Sequence, residues 1–121
     1  MGVIAATGLT MQFGSKRALD DLDVDVESGV TGLVGANGAG KTTFMSIALG
    51  LRLPTAGSVE VLGLDPRTQG HELRSLVGYG PERNRFPEDM PASDFVKHMA
   101  EVRGMPRAEA PGRASDALCL V

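Results

Sequence analysis

Apolar and acidic positions alternate along residues 21–27, and this alternation predicts a β-strand over residues 19–27. A period of two residues is typical of a half-buried strand, so one face of this strand should be acidic. Two shorter segments, residues 3–9 and 58–62, are also apolar or alternating. They predict two further strands.

A change of pattern predicts a fourth strand that leads directly into a helix. Residues 30–34 are apolar and rich in β-branched side chains, which is typical of a buried strand. A glycine-rich segment follows, and residues 41–49 then show helical spacing. The apolar side of this helix contains Phe44, Ile47 and Ala48. Gly50 is expected to end the helix, because glycine readily takes the left-handed conformation that closes one.

The elements that follow are shorter. Residues 69–76 suit a short helix and residues 76–79 a short strand, whereas three prolines between positions 81 and 91 predict a loop. Beyond that loop, Ser93 is expected to cap a helix that continues to about residue 103. The apolar face of that helix contains Phe95, Val96, Met99 and Val102.

A last helix is predicted near the end of the sequence. The helical spacing is repeated at Ala114, Ala117, Leu118 and Val121. Pro111 and Gly112 precede them and should break or delay this helix, because proline lacks an N–H group and glycine is a poor helix former. Because the predicted strands and helices are interspersed along the chain, we expect an α/β fold.

Composition and charge restrict the possible functions. The 121 residues are 42% hydrophobic and 22% charged, which is typical of one small globular domain. The net charge of −3 argues against sequence-independent nucleic-acid binding, and a single cysteine excludes an internal disulfide. No stretch offers about 20 apolar residues, so no direct membrane insertion is expected. The first basic residue is Lys16, so no secretory signal is expected either.

One motif in the sequence indicates a binding site. The phosphate-binding pattern G-x-x-x-x-G-K-[ST] is matched by Gly35-Ala36-Asn37-Gly38-Ala39-Gly40-Lys41-Thr42. This segment lies between a predicted strand and a predicted helix. Its three glycines should adopt backbone conformations closed to other residues, so that successive N–H groups surround phosphate oxygens. The start of the helix would add its positive dipole end. The alternative is a glycine-rich turn that binds nothing.

The side chains of the motif suggest separate roles. Lys41 is a mobile positive charge for the β- and γ-phosphates. The Thr42 hydroxyl can ligate Mg²⁺, and the Thr43 hydroxyl can donate to the α-phosphate. The motif therefore predicts a site for a nucleoside triphosphate with magnesium.

Together with its surroundings, the motif resembles the N-terminal part of the ATP-binding domain of ABC transporters. The segments that carry the resemblance are residues 29–43, 49–59, 62–66 (Leu-Gly-Leu-Asp-Pro) and 77–82 (Val-Gly-Tyr-Gly-Pro-Glu). It implies a phosphate-loop NTPase fold, in which an antiparallel layer of residues 3–9, 19–27 and 58–62 lies beside the strand-loop-helix core. It also implies ATP and Mg²⁺ as cofactors. The Leu-Gly-Leu-Asp-Pro stretch is most like exporter-type subunits.

The same resemblance implies the partners and two more site residues. The partners are a transmembrane transporter subunit and a second ATP-binding domain that dimerises with the first on ATP binding, at the cytoplasmic face of the membrane. Phe13 occupies the place of the aromatic residue that stacks on adenine. Glu82 stands where the family commonly has a glutamine that reaches Mg²⁺ and the attacking water. We therefore expect Lys41 and Glu82 in catalytic roles, and Thr42 and Glu82 as metal ligands.

Several family elements are not found in these 121 residues. There is no Leu-Ser-Gly-Gly signature and no apolar run that ends in Asp-Glu, and His71 and His98 lie too early to be the switch histidine. We therefore expect a truncated domain, with the strand layer and loop core in residues 1–90 and the start of a helical subdomain in 91–121. Such a chain should bind ATP without hydrolysing it.

Three alternatives remain open from the sequence. The chain could be another phosphate-loop enzyme, such as a small kinase or a GTPase, although it has no Asn-Lys-x-Asp motif. It could also be a non-catalytic nucleotide-binding fragment. Finally, Asp21, Asp23, Asp25 and Glu27 suggest a metal site, but such a run more often forms the solvated face of an edge strand.

Overall fold

The structure, a computed structural model, describes residues 2–83 and 86–121. These residues form three strands and four helices, which confirms the predicted α/β class. The chain divides into two compact units, the first ending at Gly78 and the second beginning at Tyr79. Each unit is described separately below.

The first unit contains one antiparallel sheet. Its strands are β1 (Ile4–Phe13), β2 (Lys16–Val26) and β3 (Ala56–Val61), in the order β2-β1-β3. The predicted antiparallel layer is therefore confirmed. β1 continues four residues beyond the predicted end because it pairs with a neighbour on each side, and the pairing with β2 continues to Phe13.

The acidic face of β2 lies at the edge of this sheet. Asp21, Asp23, Asp25 and Glu27 are exposed, and Asp23 accepts a hydrogen bond of 2.7 Å from the backbone N–H of Gly8. Within the described residues, no group of three or more acidic, histidine or cysteine side chains could hold a metal ion. The exposure of these acidic side chains fits the interpretation of the run as the solvated face of an edge strand.

A helix covers the apolar side of the sheet. Helix α1 (Lys41–Ala48) contacts β2 and β3 and buries the three apolar residues that its spacing predicted. The core that it completes contains Ala6, Leu9, Met11, Leu19, Phe44, Ile47, Ala48, Val59, Val61 and Leu73. Gly50 ends α1 as expected, with a φ of 70°. The next N–H, of Leu51, returns to the Ser46 carbonyl at 2.9 Å, which closes the last turn.

Two further predicted strands are wrong. Residues 30–34 have no regular secondary structure and pair with none of the described strands, and Val30 and Val34 are almost fully exposed. A strand needs a neighbour to receive its hydrogen bonds, and the three strands described here pair only with one another. Residues 76–79 likewise form no strand, and the N–H of Val77 bonds instead to the Leu73 carbonyl at 3.2 Å.

The segment between β3 and residue 78 contains a turn and a short helix. Helix α2 (Gly70–Leu76) matches the predicted helix and buries Leu73 completely. In the turn before it, Asp65 accepts hydrogen bonds from both the backbone and the side chain of Arg67. Leu73 joins α2 to the core beneath α1.

The second unit is a helix pair. Helices α3 (Ala92–Val102) and α4 (Ala110–Cys119) pack against each other, and the ring of Phe95 meets Phe86 edge-on with centroids 5.1 Å apart. The predicted cap at Ser93 is wrong, because α3 begins after Pro91, whose carbonyl accepts from the N–H of Asp94 at 3.0 Å.

The start of α4 also differs from the prediction. Pro111 and Gly112 lie inside the helix, which begins at Ala110. Proline is tolerated in a first turn because its missing N–H would have no partner there. Across the described residues, no helix is both long enough and apolar enough to cross a membrane.

Candidate functional site

The glycine-rich loop lies immediately before α1, where the motif requires it. Gly38 and Gly40 have φ values of 86° and 93°, in the left-handed region that favours glycine. Gly35 does not share this conformation, so the prediction that all three glycines need it is wrong for Gly35. At Gly35 the constraint is one of space, because a β-carbon on it would lie in tight contact, 3.2 Å, with the Ala39 methyl group.

Gly40 anchors the loop to the sheet. It is buried, and a β-carbon on it would lie 2.4 Å from the backbone oxygen of Ala18 and 2.9 Å from a methyl carbon of Leu19. Both residues belong to β2. The start of α1 is therefore held in backbone contact with the strand that begins at Lys16.

The first turn of α1 has neither a side-chain cap nor an acidic residue. Its N-cap is Gly40, which provides no side-chain hydrogen bond. The first N–H groups of any helix have no partner within it, and they carry the positive end of the helix dipole. No carboxylate of the helix itself competes for these groups.

Lys41 lies across the loop. Its ammonium group donates a hydrogen bond to the backbone carbonyl of Gly35, at the other end of the motif. Between these two residues, Ala36, Asn37, Gly38 and Ala39 are exposed, and the N–H of Ala39 bonds to the Ala36 carbonyl at 3.0 Å. The motif thus forms a turn whose two ends, Gly35 and Lys41, are joined by the hydrogen bond of the Lys41 ammonium group.

The two threonines differ in exposure. Thr42 is exposed in the first turn of α1, and Thr43 is half-buried. Mg²⁺ prefers hard oxygen donors and usually keeps water and phosphate oxygens as its other ligands. The exposed Thr42 hydroxyl could supply one such oxygen ligand.

Phe13 is the last residue of β1 and belongs to the same unit as the loop. Its side chain is 39% exposed. The guanidinium carbon of Arg52 lies 5.0 Å from the centroid of its ring, so a cation covers one face. A base that stacks on Phe13 in this arrangement would use the opposite face.

Glu82 is exposed and belongs to the second unit. The structure therefore brings the motif and Phe13 into one unit and places Glu82 in the other. Sequence reasoning missed two basic residues near the predicted site. These are Arg52 at the Phe13 ring and Lys16 beside Gly38. Both contacts join residues distant in sequence, and the only available signal was that Lys16 follows directly after a turn.

Comparison with known proteins agrees with this geometry. A family model described as ABC transporter matches residues 19–118. The probable multidrug ABC transporter ATP-binding protein YbhF of Escherichia coli (strain K12) is 38% identical over 106 residues, which are 85% of this chain and 18% of that protein. Nod factor export ATP-binding protein I of Azorhizobium caulinodans is 36% identical over 112 residues, 92% of this chain and 35% of that protein. The chain spans about a third or less of these relatives.

Solved structures share the fold. The ATP-binding subunit of an ABC transporter superposes with a TM-score of 0.73 at 24% identity, covering 88% of this chain and 45% of the other. The dimeric post-hydrolysis state of an ATP-binding cassette bound to ADP and Pi gives a TM-score of 0.74 at 20% identity, covering 95% of this chain and 55% of the other. Since the family match includes the loop, α1 and most of the remaining chain, the protein belongs to the ABC transporter ATP-binding family.

Proposed function

We propose that this chain provides the nucleotide-binding part of an ABC transporter ATPase. The observation that carries the proposal is the loop at the start of α1, where the Lys41 ammonium bridges to Gly35 in front of an uncapped helix. This arrangement suits a triphosphate, which carries several negative charges in a row. Because the chain belongs to the ABC family, this proposal is preferred to the alternative of a small kinase or GTPase.

Each part of the site has a proposed task. The loop N–H groups and the first turn of α1 hold the phosphates, and Lys41 exchanges the Gly35 carbonyl for phosphate oxygens. Thr42 would hold Mg²⁺, which neutralises phosphate charge when bound. Thr43 donates to the α-phosphate, and Phe13 stacks on adenine. These contacts bind and orient the nucleotide.

Hydrolysis requires more than this part of the protein. The attacking water must lie in line with the γ-phosphate, and a group that orients or deprotonates it typically contributes about 10²–10⁴-fold. Glu82 is the candidate for this role and for a contact to the metal. We propose that a second ATP-binding domain completes the site, and that residues 1–121 alone bind ATP without turnover.

The names of the relatives support the proposed direction of transport. Their names describe a multidrug transporter and an exporter of Nod factor. This supports a role in export, with the ATP-binding domain attached to a transmembrane subunit at the cytoplasmic face of the membrane.

Nucleotide binding is tested by isothermal titration of ATP with Mg²⁺. Lys41→Ala should weaken binding about ten- to a hundredfold, because a hydrogen bond to a charged group is typically worth about 1.5–3 kcal/mol. Lys97→Ala, in α3 of the second unit, is the matched control and should bind like the wild type. Equal affinity of the wild type and Lys41→Ala would remove the loop from the function.

Turnover is tested by phosphate release from residues 1–121 at saturating ATP. The rate should equal the background of Lys41→Ala, since tight binding of the ground state does not accelerate the chemical step. Turnover that depends on Lys41, at roughly one per second or more, would contradict this expectation. Glu82→Gln would then identify whether Glu82 supplies the base.

A further inference from the structure

Lys16 lies beside the phosphate loop. It is the first residue of β2, and its side-chain nitrogen would be 3.9 Å from a methyl group placed on Gly38. We propose that Lys16 is a second cation of the site and that it binds the phosphates of the nucleotide. This inference rests on the proposed nucleotide binding and adds a ligand that the phosphate-loop motif does not contain.

Two features of the first unit hold Lys16 near the loop. Lys16 is paired directly with Phe13 across the β1–β2 hairpin, whose two-residue turn has Gly14 at its first position with a φ of 58°. Two residues further along β2, the backbone oxygen of Ala18 lies against Gly40. The strand that carries Lys16 is thus in contact with the C-terminal end of the loop.

In the described part of the chain, Lys16 has no ion-pair partner. Within residues 2–83 and 86–121, no carboxylate lies within ion-pair distance of its ammonium group. Its neighbour Arg17 is different, because it forms an ion pair of 2.8 Å with Asp20. Lys16 is also exposed, so its side chain can turn toward a ligand without losing a buried contact.

The position of Lys16 favours phosphate over base as its target. An ammonium group is a compact point charge with three donors and no acceptor, which suits phosphate oxygens. Lys41 approaches the loop from α1, whereas Lys16 approaches it from the hairpin. Two cations on different elements can therefore share the charge of one phosphate chain between them.

The experiment compares four forms of the protein: the wild type, Lys16→Met, Lys16→Arg and Arg17→Met. Binding of ATP and of inorganic tripolyphosphate is measured by competition against a fluorescent ATP analogue. Lys16→Met should weaken both ligands by a similar factor, about three- to tenfold, which lies between the usual effects of exposed and buried charged contacts. Lys16→Arg should retain most of the affinity. Arg17→Met removes the same charge one residue away and should change affinity by less than about twofold.

The outcomes separate this inference from the proposed function. If Lys41→Ala weakens ATP binding but Lys16→Met does not, the role of Lys16 is wrong and the nucleotide site stands. An equal loss in Arg17→Met would show only a general charge effect and would overturn the specific contact. A loss for ATP but not for tripolyphosphate would place Lys16 at the base and contradict the proposal. If the wild type does not bind ATP, the proposed nucleotide binding and the role of Lys16 are both wrong. Circular dichroism of each variant checks that the fold is unchanged.

Discussion

At the scale of single residues, the loop depends on glycine for two different reasons. Gly38 and Gly40 adopt left-handed backbone conformations. A β-carbon on Gly40 would overlap the Ala18 oxygen, and one on Gly35 would make a tight contact with the Ala39 methyl group. Gly40 combines both constraints, since its neighbour is a backbone oxygen that cannot move aside like the end of a flexible side chain. It is therefore the position in the loop least able to accept a side chain.

Replacing Gly40 with alanine should lower the free energy of unfolding by at least about 1–3 kcal/mol, the usual cost of a residue held in a disfavoured conformation. It should also weaken ATP binding, because α1 and the loop must move away from Ala18. Gly32→Ala is the matched control, since Gly32 has no neighbour within 4 Å of an added β-carbon and no left-handed φ. Urea denaturation measures both variants. Equal stability of the two would mean that the contact with β2 is not maintained in solution.

Phe13 should determine the affinity for the base without affecting the phosphates. Stacking of a base on an aromatic ring is typically worth about 1–3 kcal/mol, so Phe13→Ala should weaken ATP binding roughly five- to a hundredfold. Binding of tripolyphosphate should be unchanged, and Phe13→Tyr should restore ATP affinity. A parallel loss for tripolyphosphate would instead indicate that Phe13 supports the hairpin.

At the scale of elements, local signals determined both ends of α1 and the turn before α2. Helix α1 starts at a left-handed glycine and ends at another, and its buried face follows directly from helical spacing. In the turn before α2, the side-chain hydrogen bond from Arg67, assisted by the Arg67 backbone N–H, lowers the pKa of Asp65 below its usual value. The native turn therefore favours the ionised carboxylate.

This turn predicts a pH-dependent stability difference. A carboxylate with a lowered pKa stabilises the folded state above its unfolded pKa, near 4, and loses that contribution as pH falls through the folded pKa. Asp65→Asn should therefore be modestly less stable than the wild type at pH 7, and the difference should shrink below about pH 4. Thermal unfolding across pH 3–7 measures it, with the exposed Asp116 of α4, as Asp116→Asn, for the control. A difference that is constant or larger in acid would contradict the role of Arg67.

At the scale of the whole molecule, the notable feature is the apolar segment of residues 30–34, which pairs with none of the described strands. Val30 and Val34 are almost fully exposed, although their pattern is typical of a buried central strand. Unpaired apolar backbone of this kind is a template for association with other chains. Leu33, between them, is 49% exposed.

We expect residues 1–121 to self-associate as concentration rises, and Val34→Lys to shift the population towards monomer. Sedimentation velocity over about a hundredfold range of concentration measures this. Leu51→Lys removes an exposed apolar residue outside the segment and should have a smaller effect. A monodisperse wild-type monomer with a sharp thermal transition would contradict the expectation.

The sequence by itself determined the parts that depend on neighbours a few residues apart. These are the phosphate-loop motif, the buried face of α1, the stop at Gly50, and the α/β class with three strands near their predicted places. Each rests on short-range sterics, capping or hydrophobic periodicity, which the order of residues specifies directly. The family followed from the same local motifs.

Tertiary structure alone decided the rest. Residues 30–34 have the composition of a strand, but strand formation depends on a pairing partner that no local pattern reveals. The extension of β1 to Phe13 requires the pairing of whole strands. The contact of Gly40 with Ala18 and the position of Lys16 beside Gly38 each join segments about 20 residues apart. Such contacts form only when the chain folds back on itself, because burial and hydrogen bonding are then shared between segments that the sequence keeps separate.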